Sequence, residues 1–319
     1  DGSPMTESEA MERIAVIEAK MKEQIGDGLF PNWIGPQRFG ASRPVTPVVG
    51  SYVIRDDWKS AVMTYLSMEG DENDDVYQFR KHIRENGVTE ESLEIIPHWL
   101  GFEKDMIRHL VSNPEDWVGA FRKLPNNLQL MTVHSLQSVA FNKTIKSRID
   151  NGVAISTPII GDIVGRIDDN RQLEPASMVT VEDRTLERIS RNCQLGRLAV
   201  TAQLPGSQMM QPSGEFALIE KSVIEEMGLK DTTWEVEKIA RLTTKGTRRP
   251  MVTNFSEFQY EPVPIAGEET MGDKWNAGVK DGELWHPDGA CIRFRFTLPS
   301  GSYATTLLRE FMRSPLKQL

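Results

Sequence analysis

A chain of 319 residues with 39% apolar side chains and a mean hydropathy of -0.39 has enough material to bury a core, and its length favours two domains. No apolar run approaches the roughly 18 residues a membrane-spanning helix needs, and Cys193 and Cys291 lie too far apart for a disulfide framework or a zinc motif, so a reducing cytoplasm is the expected location. The formal net charge of -9 argues against nucleic acid unless the charge is unevenly spread.

In chain order, Thr6 and Glu9 form a T-x-x-E helix start, Ile14, Ile17, Met21 and Ile25 follow at helical spacing, and Gly26 and Gly28 end the helix. Residues 44–54, with Val45, Val48, Val49, Tyr52 and Ile54, read as extended. From about residue 57 to 150 the pattern is helical, and Phe141, Ile145 and Ile149 share a face of its last helix. Short strands and turns are expected at 153–167 and 195–204, then a helix from Glu215 to Met227 ended by Gly228. Residues 261–290 read as a long irregular connection. Ile292, Phe294, Phe296 and Leu298 alternate with Arg293, Arg295 and Thr297, a strand with one buried and one basic face. Pro299-Ser300-Gly301-Ser302 breaks it. Ser302 can cap a helix with the core stripe Leu307, Leu308, Phe311 and Met312, stopped by Pro315. That arrangement sets Tyr303 and backbone N–H groups at a helix start suited to phosphate.

The charge is uneven. Residues 56–120 hold 15 acids against 6 bases, so the rest of the chain is balanced. Three stretches are acid-poor. Residues 28–55 carry Arg38, Arg43 and Arg55, residues 238–256 carry Lys238, Arg241, Lys245, Arg248 and Arg249, and residues 289–319 carry five bases against Glu310 alone. Brought together they would make a basic face for phosphates; apart, they are ordinary solvated charge.

The segment Pro31-Asn32-Trp33-Ile34-Gly35-Pro36-Gln37-Arg38-Phe39-Gly40 brackets an amide, aromatic rings, a glutamine and an arginine with turn formers. Such a mix suits stacking on a flat ring and bonding its edge, as proteins do with single nucleotides. It resembles the P-N-Y-F-G-x-Q-R-F-G signature of the TruD family of tRNA pseudouridine synthases. Three further segments resemble that family in the same order. They are His134-Ser135-Leu136-Gln137-Ser138-Val139-Ala140-Phe141-Asn142, Gly246-Thr247-Arg248-Arg249, and Phe296 to Thr305 running on to Arg309-Glu310.

The resemblance implies an α+β protein. A pseudouridine-synthase core, a mixed β-sheet flanked by helices, would comprise residues 1–55 and 245–319, split by a mainly helical α+β insertion at 56–244. It implies isomerisation of a tRNA uridine, U13 by family precedent, by an aspartate nucleophile acting on an extruded base, without cofactor or metal; a monomer is expected. The sequence has no HExxH or CxxC. The family's catalytic aspartate sits in G-x-K-D-x-x-A-x-T-x-Q ahead of the first motif. No such pattern occurs in this chain, so it is expected before residue 1. The alternative is a catalytically silent RNA-binding member. Gly228-Leu229-Lys230-Asp231 and Gly278-Val279-Lys280-Asp281 spell only the first four letters, which leaves Asp231 a weak candidate and Asp281 a weaker one. Asn32 is the candidate for the uridine edge or a ribose oxygen, or else a turn residue. Tyr303 would stack on the base or pack in the core. Ile34, where the family has phenylalanine, would supply an apolar wall. Arg38 would bind phosphate or organise its loop. Arg248, Arg249, Arg293 and Arg295 are candidates for RNA backbone. Gln137 and Asn142 are expected to hydrogen-bond between domains.

Overall fold

Thr6 and Glu9 cap the first helix as their spacing predicts. In the computed structural model, which describes residues 5–40, 42–263 and 290–312, the Thr6 hydroxyl accepts from the Glu9 N–H at 3.3 Å and the Glu9 carboxylate accepts from the Thr6 N–H at 2.8 Å. Helix α1 (Glu7–Gln24) follows, then strand β1 (Leu29–Pro31). A helical run comprises α2 (Val45–Val53), α3 (Trp58–Ser67), α4 (Asp74–Asn86), α5 (Ser92–Ile95), α6 (Gly101–Ser112), α7 (Trp117–Phe121) and α8 (Asn126–Asp150). After it come β2 (Ile163–Arg166), β3 (Val179–Thr180), α9 (Asp183–Gln194), β4 (Leu198–Leu204), α10 (Gly214–Glu226), β5 (Thr247–Pro250), β6 (Val252–Asn254), β7 (Ser256–Val263), β8 (Cys291–Thr297) and α11 (Ala304–Met312). The fold is α+β, and every strand pairing among the described residues is antiparallel.

Two compact units share the chain. The described residues of the first are 5–32, 169–172, 252–263 and 290–312, and those of the second are 33–40, 42–168 and 173–251. The cut falls after Asn32 and before Val252, so α2 and β5 pack with the middle of the chain.

The first unit is built on two strand pairs, β1 with β6 and β7 with β8. Its core joins Ile14, Ile17 and Met21 of α1 to Phe30, Phe255, Leu307 and Phe311, with Phe294 and Phe296 of β8 packed against them. Arg293, Arg295 and Thr297 are exposed, as the alternation of β8 predicts. In α11, Leu307 and Phe311 are buried but Met312 is exposed, so the core stripe is narrower than expected. The helix starts one residue later than expected: the Tyr303 carbonyl, not the Ser302 hydroxyl, takes the first helical N–H groups, at 3.1 and 3.2 Å from Thr306 and Leu307.

The second unit carries a four-stranded sheet in the order β3-β2-β4-β5 and the helices α2 to α10. Residues 44–54 are not extended but form α2. Their β-branched composition suggests a strand, yet Val45, Val49 and Val53 repeat every fourth residue and all are buried in the core shared with α3 and α8. Gly50 sets the helix separation. A Cβ there would stand 2.1 Å from the Thr132 carbonyl oxygen of α8. Gly50→Ala should therefore cost about 1–3 kcal/mol of stability, measured by urea denaturation; an unchanged midpoint would contradict this account. Ile149 is exposed, because the buried face of α8 ends at Arg148. Helix α9, not foreseen, lies between the expected strand regions. The long connection begins later than expected, since β7 reaches Val263; its residues 264–289 lie outside the described ones, as do Asp281 and Pro315.

Candidate functional site

In the second unit, three of the four sequence motifs meet on α8. The Asn142 side chain clamps Ile34 at both backbone groups: its Oδ1 accepts from the Ile34 N–H and its Nδ2 donates to the Ile34 carbonyl, each at 2.9 Å. One helical step back, the Phe141 ring lies 5.6 Å from the Arg249 guanidinium, a cation–π contact. Gln137 Nε2 donates to the Pro205 carbonyl at 2.7 Å and to Thr244 Oγ1 at 3.0 Å, beside the Gly246-Thr247 turn. Gly246 itself (φ 75°) permits a close backbone crossing, since a Cβ on facing Gly206 would stand 2.0 Å from its nitrogen. Gln137 and Asn142 thus act inside one compact unit.

The loop after Ile34 is held as firmly. Phe39 is buried, and Thr46 of α2 donates its hydroxyl to the Phe39 carbonyl at 3.0 Å. Arg38 is half-buried and lines a hollow of about 630 Å³ with Phe102, Asn127, Met131 and His134. Burial and the nearby Arg38 charge hold the His134 imidazole below its ordinary value. It is a neutral, stackable ring beside a cation. Ile34 keeps an apolar side chain, but that side chain is packed inside at 5% exposure.

In the first unit, β1 pairs with β6 so that Pro31 faces Val252 and Phe30 faces Thr253. The Thr253 and Ser302 hydroxyls meet at 3.0 Å. Asn32, which follows Pro31, and Tyr303, which follows Ser302, therefore flank the same strand pair. Asn32 is buried and Tyr303 half-buried.

Several expectations need correction. Arg248 is 3% exposed, and its guanidinium donates to both Glu220 oxygens at 2.6 and 3.2 Å, to Thr201 Oγ1 at 2.9 Å and to two backbone carbonyls. A group enclosed in this way does not reach RNA phosphate. Arg43 is buried between Glu72 and Glu103, each at 3.7 Å, and donates to the Tyr65 carbonyl at 2.6 Å. Arg55 binds the carbonyls of Met227 and Gly228 at the end of α10. The basic face expected from acid-poor stretches thus loses these three arginines to the architecture. Arg293 is exposed but paired across the strands with Glu261 at 3.2 Å, and Arg295 stands opposite Gln259. Asp231 sits in an exposed turn after Gly228 (φ 65°), next to a Lys230–Glu225 pair at 2.9 Å. An open turn does not exclude water from an attacking carboxylate, so Asp231 is better explained as solvated.

The chain matches the family tRNA pseudouridine synthase D (TruD) over residues 2–311. The chain belongs to the TruD family. A relative from Methanosarcina mazei, described as "Probable tRNA pseudouridine synthase D", is 33% identical over 98% of this chain and 67% of its own length. One of the same description from Methanopyrus kandleri is 31% identical over 90% of this chain and 58% of its own length. A crystal structure from Methanosarcina mazei that also bears the TruD name superposes with a TM-score of 0.83 at 30% identity, covering 97% of this chain and 66% of that one. The chain therefore spans 58–67% of the length of these TruD relatives. Among the described residues no helix is long and apolar enough to cross a membrane, and no cluster of His, Cys, Asp and Glu could hold a metal ion.

Proposed function

We propose that this protein isomerises a uridine of tRNA, with U13 the favoured position, to pseudouridine, working in the cytoplasm. The supporting observation is the match to TruD over residues 2–311, together with the docking of three motifs on α8 and of the fourth beside β1–β6. In this reading the catalytic core is drawn from both ends of the chain and the middle is inserted. The C1′–N1 bond of the extruded uridine breaks, the base turns, C5 bonds to C1′, the C5 proton leaves and N1 takes one up. Product and substrate are isomers, so the balance needs no oxidant or reductant. Asn32 bonds the edge of the uridine and Tyr303 stacks on it. None of the four motifs carries the attacking aspartate.

Mass spectrometry of tRNA from cells with and without the intact gene tests the reading: one pseudouridine should disappear, and an unchanged pattern would reject it. In the full-length enzyme, Asn32→Ala should slow pseudouridine formation tenfold or more, roughly 1.4 kcal/mol of barrier, in a single-turnover assay. A near-normal rate would remove Asn32 from the site.

A further inference from the structure

A protein with a sequence pI near 5.3 repels RNA on most of its surface, so contact sites must reverse the charge locally. One groove of the second unit does so, in a region outside the three acid-poor stretches. It runs between α9 and the sheet, has a volume of about 590 Å³, and is lined by Arg166 of β2, Thr180 of β3, Arg184 and Arg188 of α9, and Arg197 at the start of β4. Arg184 and Arg188 are one helical turn apart, about 6 Å along the axis, and register sets Arg166 opposite Leu198, next to Arg197. All four arginines are exposed.

Glu182 also lines the groove and pairs with Arg184 at 2.6 Å, while Arg166 pairs with Glu174 at 3.1 Å. Both pairs are solvent-exposed and therefore weak and exchangeable. Arg188 and Arg197 form no ion pair among the described residues. The Thr180 hydroxyl adds a neutral group on the sheet side. Cations spaced along a helix and a strand end suit a row of phosphates better than a single anion.

We infer that this groove is a docking site for the sugar-phosphate backbone of tRNA, which rests on the proposed function and adds a surface to it. The test is fluorescence anisotropy of the 319-residue chain with a labelled tRNA transcript, from about 50 to 200 mM KCl. Arg188→Gln with Arg197→Gln should weaken binding about tenfold at low salt and lower the log–log salt slope by roughly 1.5–2. Arg188→Lys with Arg197→Lys keeps the charge and should retain most of the slope, and Arg108→Gln on α6 should change neither quantity. If wild type binds tRNA with a steep slope and the double Gln variant superposes on it, the groove is not the site, and the proposed function stands. If wild type binds no tRNA at any salt, both fall together.

Discussion

Arg248→Ala is expected to lower folding stability by about 3–5 kcal/mol, a large part of the 5–15 kcal/mol a typical domain possesses. The guanidinium is 0% and the Glu220 carboxylate 2% exposed. Removing the arginine leaves Glu220 without its counter-charge and takes a donor from each of the Thr201 and Met210 carbonyls. Burial already pushes the Glu220 carboxyl upward, against the pull of Arg248; without that pull it takes up a proton more readily still. A carboxyl whose folded-state pKa lies above its unfolded value binds more protons folded than unfolded, so the variant should regain stability as pH falls from 7 toward 5. Urea denaturation at both pH values measures this. A loss under about 1 kcal/mol at pH 7 would show the pair to be dispensable. Because the guanidinium never reaches solvent, the salt slope of tRNA binding by folded variant should match wild type, the reverse of what an RNA contact predicts.

Arg248 also illustrates what sequence could and could not tell. Sequence locates a charge but not its depth. Arg43 and Arg248 lie in acid-poor stretches that read as a basic surface, yet each neutralises carboxylates inside the second unit. Two of those carboxylates, Glu72 and Glu103, come from the acidic segment 56–120, and Arg80 binds them as well. Part of the charge contrast between segments is therefore internal pairing across long separations. Where one short pattern decides the outcome, the sequence is enough: the capping box of α1, the alternation of β8 and the glycine stop of α10 need no distant partner. It is not enough for α2, whose β-branched residues suggest a strand although the segment packs on α8 as a helix through Gly50. Helix α9 is easy to overlook because only Leu186, Ile189 and Cys193 stand among its charges, although they recur at helical spacing. That helix supplies two arginines of the RNA groove inferred above. The four motifs are legible as residues, but the convergence of three of them on α8 is not, because Ile34 and Asn142 are 108 positions apart.

That long-range contact leads to the second large effect. Asn142→Ala should destabilise the protein by about 2–4 kcal/mol, since both backbone groups of buried Ile34 lose their partner at once and each orphaned group costs about 1–3 kcal/mol. Only an amide offers an acceptor and a donor in the spacing of a paired strand. Asn142→Asp keeps the acceptor for the Ile34 N–H but sets a second oxygen against the Ile34 carbonyl, so it should rescue little at neutral pH. Asn142→Gln keeps both functions on a longer arm and should recover part of the loss. Urea denaturation of the three variants separates the explanations: equal stability for Asn142→Ala and wild type would mean that the loop holds itself. The same clamp fixes the chain two residues after Asn32, so in the full-length enzyme Asn142→Ala should also reduce the single-turnover rate of pseudouridine formation under conditions where the variant is fully folded. A full rate in a protein that has lost the predicted stability would confine Asn142 to folding and leave the placement of Asn32 to β1 alone.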